Sequence, residues 1–180
     1  MPRPKVQPRR VIFLGVEGPS ERAFVQWLRF ICDEAGLHIH LSVHTGSGGD
    51  SLAVVQEAAR RLRRLPGRRD IDDQLVLLDA DRIAQDRRAD RDAIAVARRY
   101  EFQVVLLTPN LEGLLLRLHA GREKTKPPAQ TTERELRRLW THYRKPPEVR
   151  ELKRRFGHSD LLRAAEHDQH LRTLLRILGL

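Results

Sequence analysis

Val11-Ile12-Phe13-Leu14-Gly15-Val16-Glu17-Gly18-Pro19-Ser20 orders the rest of the chain. Its first six residues are branched, aromatic or small and apolar, and the next four are turn chemistry, so a buried strand ends in a loop at Glu17. Ser20 is placed to cap a helix in which Phe24, Trp27, Leu28 and Ile31 recur at helical spacing, with Gly36 closing it after about Ala35. A strand, a tight turn and an amphipathic helix make the opening of a β-α-β unit.

The pattern then repeats. His38–Val43 reads as a second strand, followed by the turn Gly46-Ser47-Gly48-Gly49, a cap at Asp50 and a helix over Leu52–Leu65. Gln74–Leu78 is a third strand that delivers Asp79, Arg91–Tyr100 a third helix, and Phe102–Leu107 a fourth strand closed by Thr108-Pro109-Asn110. Helical crossovers between strands predict an α/β fold, a mainly parallel four-stranded sheet of Rossmann-like type flanked by helices. Leu111–His119 reads as a further helix, Gly121–Thr132 as a mobile loop, and Glu133–Tyr143, Pro147–Phe156 and Ser159–Leu178 as the helices of a C-terminal appendage. The expected organisation is a disordered basic tail over 1–10, an α/β core over 11–120 and a helical C-terminal extension over 121–180 packed on that core.

Ligands of an open parallel sheet gather outside the carboxyl ends of its strands. Four strand ends here carry Glu17, the Gly46–Asp50 turn, Asp79 with Asp81, and Asn110 with Glu112. Carboxylates brought together repel one another unless a cation sits among them, and Mg²⁺ prefers such hard oxygen ligands. Read as an extended segment, Asp79-Ala80-Asp81 points two carboxylates the same way, able to grip one ion, while Glu17 completes the site or serves as general base. Taken singly, each acid also has a plain structural account, as a turn, a cap or a partner of a helix dipole. His38, His40 and His44 are expected at the surface, and His119 as a packed or solvated side chain.

Val16-Glu17-Gly18-Pro19-Ser20-Glu21 followed by Leu77-Leu78-Asp79-Ala80-Asp81 resembles the Toprim pattern of a strand-end Glu and an Asp-x-Asp. The first motif looks like that of Toprim nucleases of the OLD and RloB-like kind. The Gly46–Asp50 turn, the segment Thr108-Pro109-Asn110-Leu111-Glu112-Gly113-Leu114 through His119, and Tyr143-Arg144-Lys145 resemble the RloB-like family in the same order. The chain departs from it at Leu111, where an aromatic is usual, and at Gly113-Leu114, where a Trp is. The resemblance implies a Toprim sheet, one or two Mg²⁺ (or Mn²⁺) ions at Glu17, Asp79 and Asp81 with a second near Glu21, and membership of bacterial nucleases found in phage defence and abortive infection.

The 34 Lys and Arg against 24 Asp and Glu, a net charge of +10, point to a polyanionic partner. Arg60, Arg61, Arg63, Arg64, Arg68, Arg69, Lys124 and Lys126 are candidates for nucleic-acid backbone contact, and Gly46, Ser47, Gly48 and Gly49 for a phosphate loop. Glu17, Glu112 and Lys145 are the catalytic candidates, with Lys145 stabilising charge that develops on a phosphate. Two Trp and five Phe leave few stacking platforms, which speaks against sequence-specific single-strand recognition.

These features make a metal-dependent nuclease acting on DNA or RNA the leading expectation. The competing one is a metal-binding, nucleic-acid-binding or regulatory module working with a partner ATPase; without a Gly-x-x-x-x-Gly-Lys-[Ser/Thr] segment, ATP chemistry has to come from another chain. Self-association into a homo-oligomer is left open. Only Tyr100 and Tyr143 could be tyrosine nucleophiles, which disfavours topoisomerase chemistry, and a lone cysteine disfavours a primase zinc module. An Asp-x-Asp of a nucleotide-sugar transferase or a phosphatase ranks last, Arg82 standing where the phosphatase pattern wants Thr or Val. The single Cys32 fits a reducing, cytoplasmic compartment, and no stretch nears the roughly 20 apolar residues of a membrane span.

Overall fold

The computed structural model describes residues 9–46, 49–85 and 87–180, with no side chains described over 85–91. The elements run β1 (Arg10–Val16), α1 (Pro19–Glu34), β2 (Ile39–Thr45), α2 (Ser51–Arg64), β3 (Asp73–Asp79), α3 (Ala80–Gln85), α4 (Arg87–Arg99), β4 (Gln103–Leu107), α5 (Leu111–Leu118), α6 (Ala129–Leu139), α7 (Val149–Arg155), α8 (His158–Ala165) and α9 (Gln169–Leu178). The sheet order is β2-β1-β3-β4 with all three pairings parallel, so the α/β expectation holds and the sheet is wholly parallel. No helix among the described residues is long and apolar enough to cross a membrane.

The central strands β1 and β3 have two buried faces, as crossover helices require. Ile12, Leu14 and Val16 of β1 join Leu75 and Leu77 of β3 under α1 and the C-terminal helices. Phe13, Val76 and Leu78 face the other way, under α2 and α4. Gly15 is where α2 comes closest: a Cβ there would stand 2.6 Å from the Ala58 Cβ. The C-terminal helices cover a sheet face, with Trp27 of α1 against Phe156 at 6.3 Å and Trp140 against Phe156 at 6.2 Å between ring centroids.

Several boundaries differ from the expectation. Helix α1 is capped by Gly18 and not by Ser20; the Glu21 carboxylate accepts the Gly18 N–H at 2.9 Å, and Ser20 lies buried in the first turn. The tail assigned to 1–10 ends earlier: Arg10 already belongs to β1, its guanidinium 2.5 Å from Asp73, while 1–8 fall outside the described residues. Ala129 starts α6 inside the stretch read as a loop. The helix expected over Ser159–Leu178 is two, because the Asp168 side chain accepts the N–H groups of His170 and Leu171, each at 3.0 Å, and starts α9 afresh. Asp50 caps α2 as expected, accepting from Ala53 at 2.8 Å.

Candidate acidic site

β1 is flanked by β2 on one side and β3 on the other, so the chain leaves β1 and β3 in opposite directions and opens a crevice at their carboxyl ends. Val16 pairs with Leu77, and Asp79 pairs with Leu107. Glu17 and Asp79 therefore leave adjoining strand ends, and Asn110 and Glu112 follow β4 on the far side of Asp79. Asn110 caps α5, accepting the Gly113 N–H at 3.0 Å. Pro109 sits so close to Gly113 that any Cβ there would clash with its ring, which explains why a large side chain is absent at that position.

The expectation of an extended Asp79-x-Asp81 is corrected. Asp79 ends β3 and Asp81 lies in the first turn of α3, with its N–H donating to the Pro109 carbonyl at 2.9 Å and its own Oδ1 accepting the Arg82 N–H at 2.8 Å. The two carboxylates are thus carried by a strand end and a helix start.

Five acids nonetheless act on one another. The Asp79 carboxyl is pushed up to about 8 by burial, with Glu21 the strongest charged contributor, then Glu17, Asp81 and Glu112. Its Oδ1 is buried with no hydrogen-bond partner. Glu17 is raised by burial, partly offset by Arg82. Glu112, 2% exposed, accepts the Tyr143 hydroxyl at 2.9 Å and the Lys145 ammonium at 2.9 Å on the same Oε1. Lys145 is held up by that contact against the opposing effect of burial, with Glu21 and Asp79 adding to it.

Two residues left out of the candidate site set shape this centre. Arg82, weighed only as a departure from a phosphatase pattern, places its guanidinium 2.5 Å from Glu17 and donates to the Gly49 carbonyl at 2.8 Å; its place beside Asp81 was the available signal. Tyr143, read with the basic stretch, is 1% exposed and its hydroxyl is the inner partner of Glu112. Gly46 donates its N–H to the Val16 carbonyl at 2.9 Å, and Gly49 adopts φ +121, while Ser47 and Gly48 lie outside the described residues.

Whether the set fits a metal rests on two observations. No three acid, histidine or cysteine side chains among the described residues are arranged about one ion position. Against that, the donors are hard oxygens and the Asp79 Oδ1 has no partner, while Arg82, whose side chain is 47% exposed, holds Glu17. The donor chemistry fits a hard dication, with Arg82 in place of a cation at Glu17.

The arginine cluster falls elsewhere. α2 runs back from the carboxyl edge, so Arg60 to Arg64 descend away from the acids and Arg68 and Arg69 reach the opposite, amino edge in a 3-10 turn before β3. Arg60 and Arg61 bind Glu57 at 2.7 and 3.0 Å, and Arg63 lies 5.5 Å from the Tyr100 ring centroid. Lys124 and Lys126 lie on the acidic site's side, at a cavity beside Thr108 and Pro109. His119 packs against Phe156 at 4.9 Å and holds the Leu115 carbonyl at 3.0 Å. His44 is not the surface residue expected: it stacks on Phe13 at 4.8 Å and bonds Ser42 at 2.9 Å. Cys32 is buried and free.

Comparison of the chain with protein-family models, with curated proteins and with solved structures found no match in any of the three.

Proposed function

We propose that the protein is a Mg²⁺- or Mn²⁺-dependent nuclease of Toprim type, hydrolysing phosphodiester bonds of DNA or RNA. The observation that carries this reading is the half-buried Asp79 carboxyl, one oxygen of it buried without a hydrogen-bond partner, with Glu17, Glu21, Asp81 and Glu112 close enough to act on it at the crevice between β1 and β3. The order of motifs that resembles RloB-like proteins supports it. Asp79, Glu17 and Asp81 would hold the ion, with Glu21 beside them, and a bound dication would polarise the phosphate and ready a water.

The chain's own groups would do the rest. Glu17, held above the ordinary carboxylate range by burial, is suited to take a proton from an attacking water. Lys145 presents a cation at the site's rim, where it would offset charge gathering on a phosphate oxygen. Tyr143 and Glu112 act through Lys145 and fix where its ammonium sits.

One observation favours a second reading. The Arg82 guanidinium already neutralises Glu17, which suits a regulatory module whose centre opens only with a partner, such as an ATPase acting in trans.

Purified protein incubated with plasmid, single-stranded DNA and total RNA, in Mg²⁺, Mn²⁺ or EDTA, tests both. Cleavage that needs metal and drops by on the order of 100-fold or more in Glu17→Gln and Asp79→Asn is the expected result. Binding without cleavage of any substrate, unchanged by either substitution, overturns the nuclease and leaves the partnered module.

A further inference from the structure

An open cavity of about 630 Å³ lies beside the Thr108-Pro109 segment, lined by the 123–127 stretch and the start of α9. Its size is in the roughly 300–1,000 Å³ range of small-molecule sites. Two acids line it, and both are already satisfied. Asp168 binds the buried Arg117 at 2.6 Å and caps α9; Glu123 binds Arg163 at 2.6 Å and accepts the Gly121 N–H at 3.0 Å.

What is left to meet a ligand has one sign. Lys124 and Lys126 stand exposed at the mouth, with no ion pair to either among the described residues. His170 also lines the cavity, at the start of α9, whose first N–H groups are taken by Asp168. Arg117, 4% exposed, lines it too, its guanidinium held by Asp168 and by the Thr108 carbonyl. Between these groups the walls are largely apolar, with the rings of Pro109 and Pro127 contributing C–H surface.

A cavity with two lysines at its rim, unpaired among the described residues, and proline C–H surface behind them matches a phosphate joined to an apolar-faced base. We infer that this cavity binds a nucleoside phosphate, with the phosphate at Lys124 and Lys126 and the base against the proline-lined wall. The ligand is either a free nucleotide or the terminal nucleotide of a strand. The shared wall gives the second source a geometric rationale: Pro109, which lines the cavity, also accepts the Asp81 N–H, so a strand seated here would pass directly to the acidic centre.

The inference does not depend on hydrolysis, and its test is run in EDTA and repeated with Asp79→Asn so that a dead acidic site leaves it intact. Titration calorimetry with AMP, with a short 5′-phosphorylated oligodeoxynucleotide and with inorganic phosphate is paired with amide NMR shifts. Saturable binding of AMP or the oligonucleotide is expected, with shifts at Thr125, His167 and His170. Lys124→Glu with Lys126→Glu should weaken it by roughly tenfold or more, whereas the charge-matched Arg98→Glu with Arg99→Glu, exposed at the end of α4, should leave it alone. AMP and oligonucleotide binding equally points to a free nucleotide, and a preference for the oligonucleotide to a strand end; both support the site. Inorganic phosphate binding as tightly as AMP, equal weakening by the Arg98 and Arg99 pair, or no shift at the lining residues overturns it.

Discussion

The two edges of the sheet carry opposite electrostatic designs. At the carboxyl edge, Glu17, Glu21, Asp79, Asp81 and Glu112 converge, and the only cations bonded to them among the described residues, Arg82 on Glu17 and Lys145 on Glu112, have half-exposed side chains. At the amino edge, Arg10 pairs with Asp73, and Arg68 and Arg69 stand exposed in the turn before β3. A chain with a net charge of +10 thus hides a concentrated acidic centre. Net charge describes what approaches the surface, and the placement of strand ends decides what happens at the crevice.

The sharpest break in this contrast is between two ion pairs. Arg117 and Asp168, beside the carboxyl edge, have side chains only 5% and 7% exposed, whereas Arg10 and Asp73 at the amino edge are 40% and 20% exposed. Asp168→Ala strands a buried guanidinium and removes a helix cap, so chemical denaturation should show a loss of about 3–5 kcal/mol. Asp73→Ala should cost under about 1 kcal/mol.

Asp79 sharpens it through pH. Its carboxyl titrates near 8 in the folded chain and near the ordinary 3.8 when unfolded. Below about pH 4 the group is neutral in both states and costs nothing; as pH rises from there through 8, the fold must either hold a proton or bury a charge, and stability falls. Asp79→Asn should therefore raise the melting temperature of metal-free protein at pH 9, by an amount equivalent to roughly 2–4 kcal/mol, and leave it almost unchanged at pH 4. An equal change at both pH values would remove the electrostatic account.

Tyr143→Phe deletes one hydrogen bond to the buried Glu112 carboxylate and should cost about 1.5–3 kcal/mol in the same denaturation assay. The smallest effect belongs to the far end of α2. Arg61→Ala breaks an exposed pair with Glu57 and should change stability by no more than about 0.5 kcal/mol.

The unbroken apolar run of β1 and the turn chemistry after Val16 made the parallel sheet legible, because burial on both faces forces near-continuous apolar runs. Glu17, Asp79 and Glu112 were legible as strand-end acids for the same reason. Asp81 was misread, since period-two reasoning holds only while a segment stays extended, and α3 begins at Ala80. Arg82 and Arg117 could not be placed from spacing at all: their partners are Glu17 and Asp168, 65 and 51 residues away. The split at Asp168 was missed because an apolar period continues across it, and only the side-chain cap shows that the helix restarts.

Glu112 is made long before its partners. A ribosome adding about 5–20 residues per second must lay down another thirty-one residues before Tyr143 exists, and two more before Lys145. Until then the carboxylate has neither its hydroxyl nor its ammonium partner. The nascent chain consequently carries an unfinished centre, and the acids reach their final surroundings only as synthesis approaches the last helices.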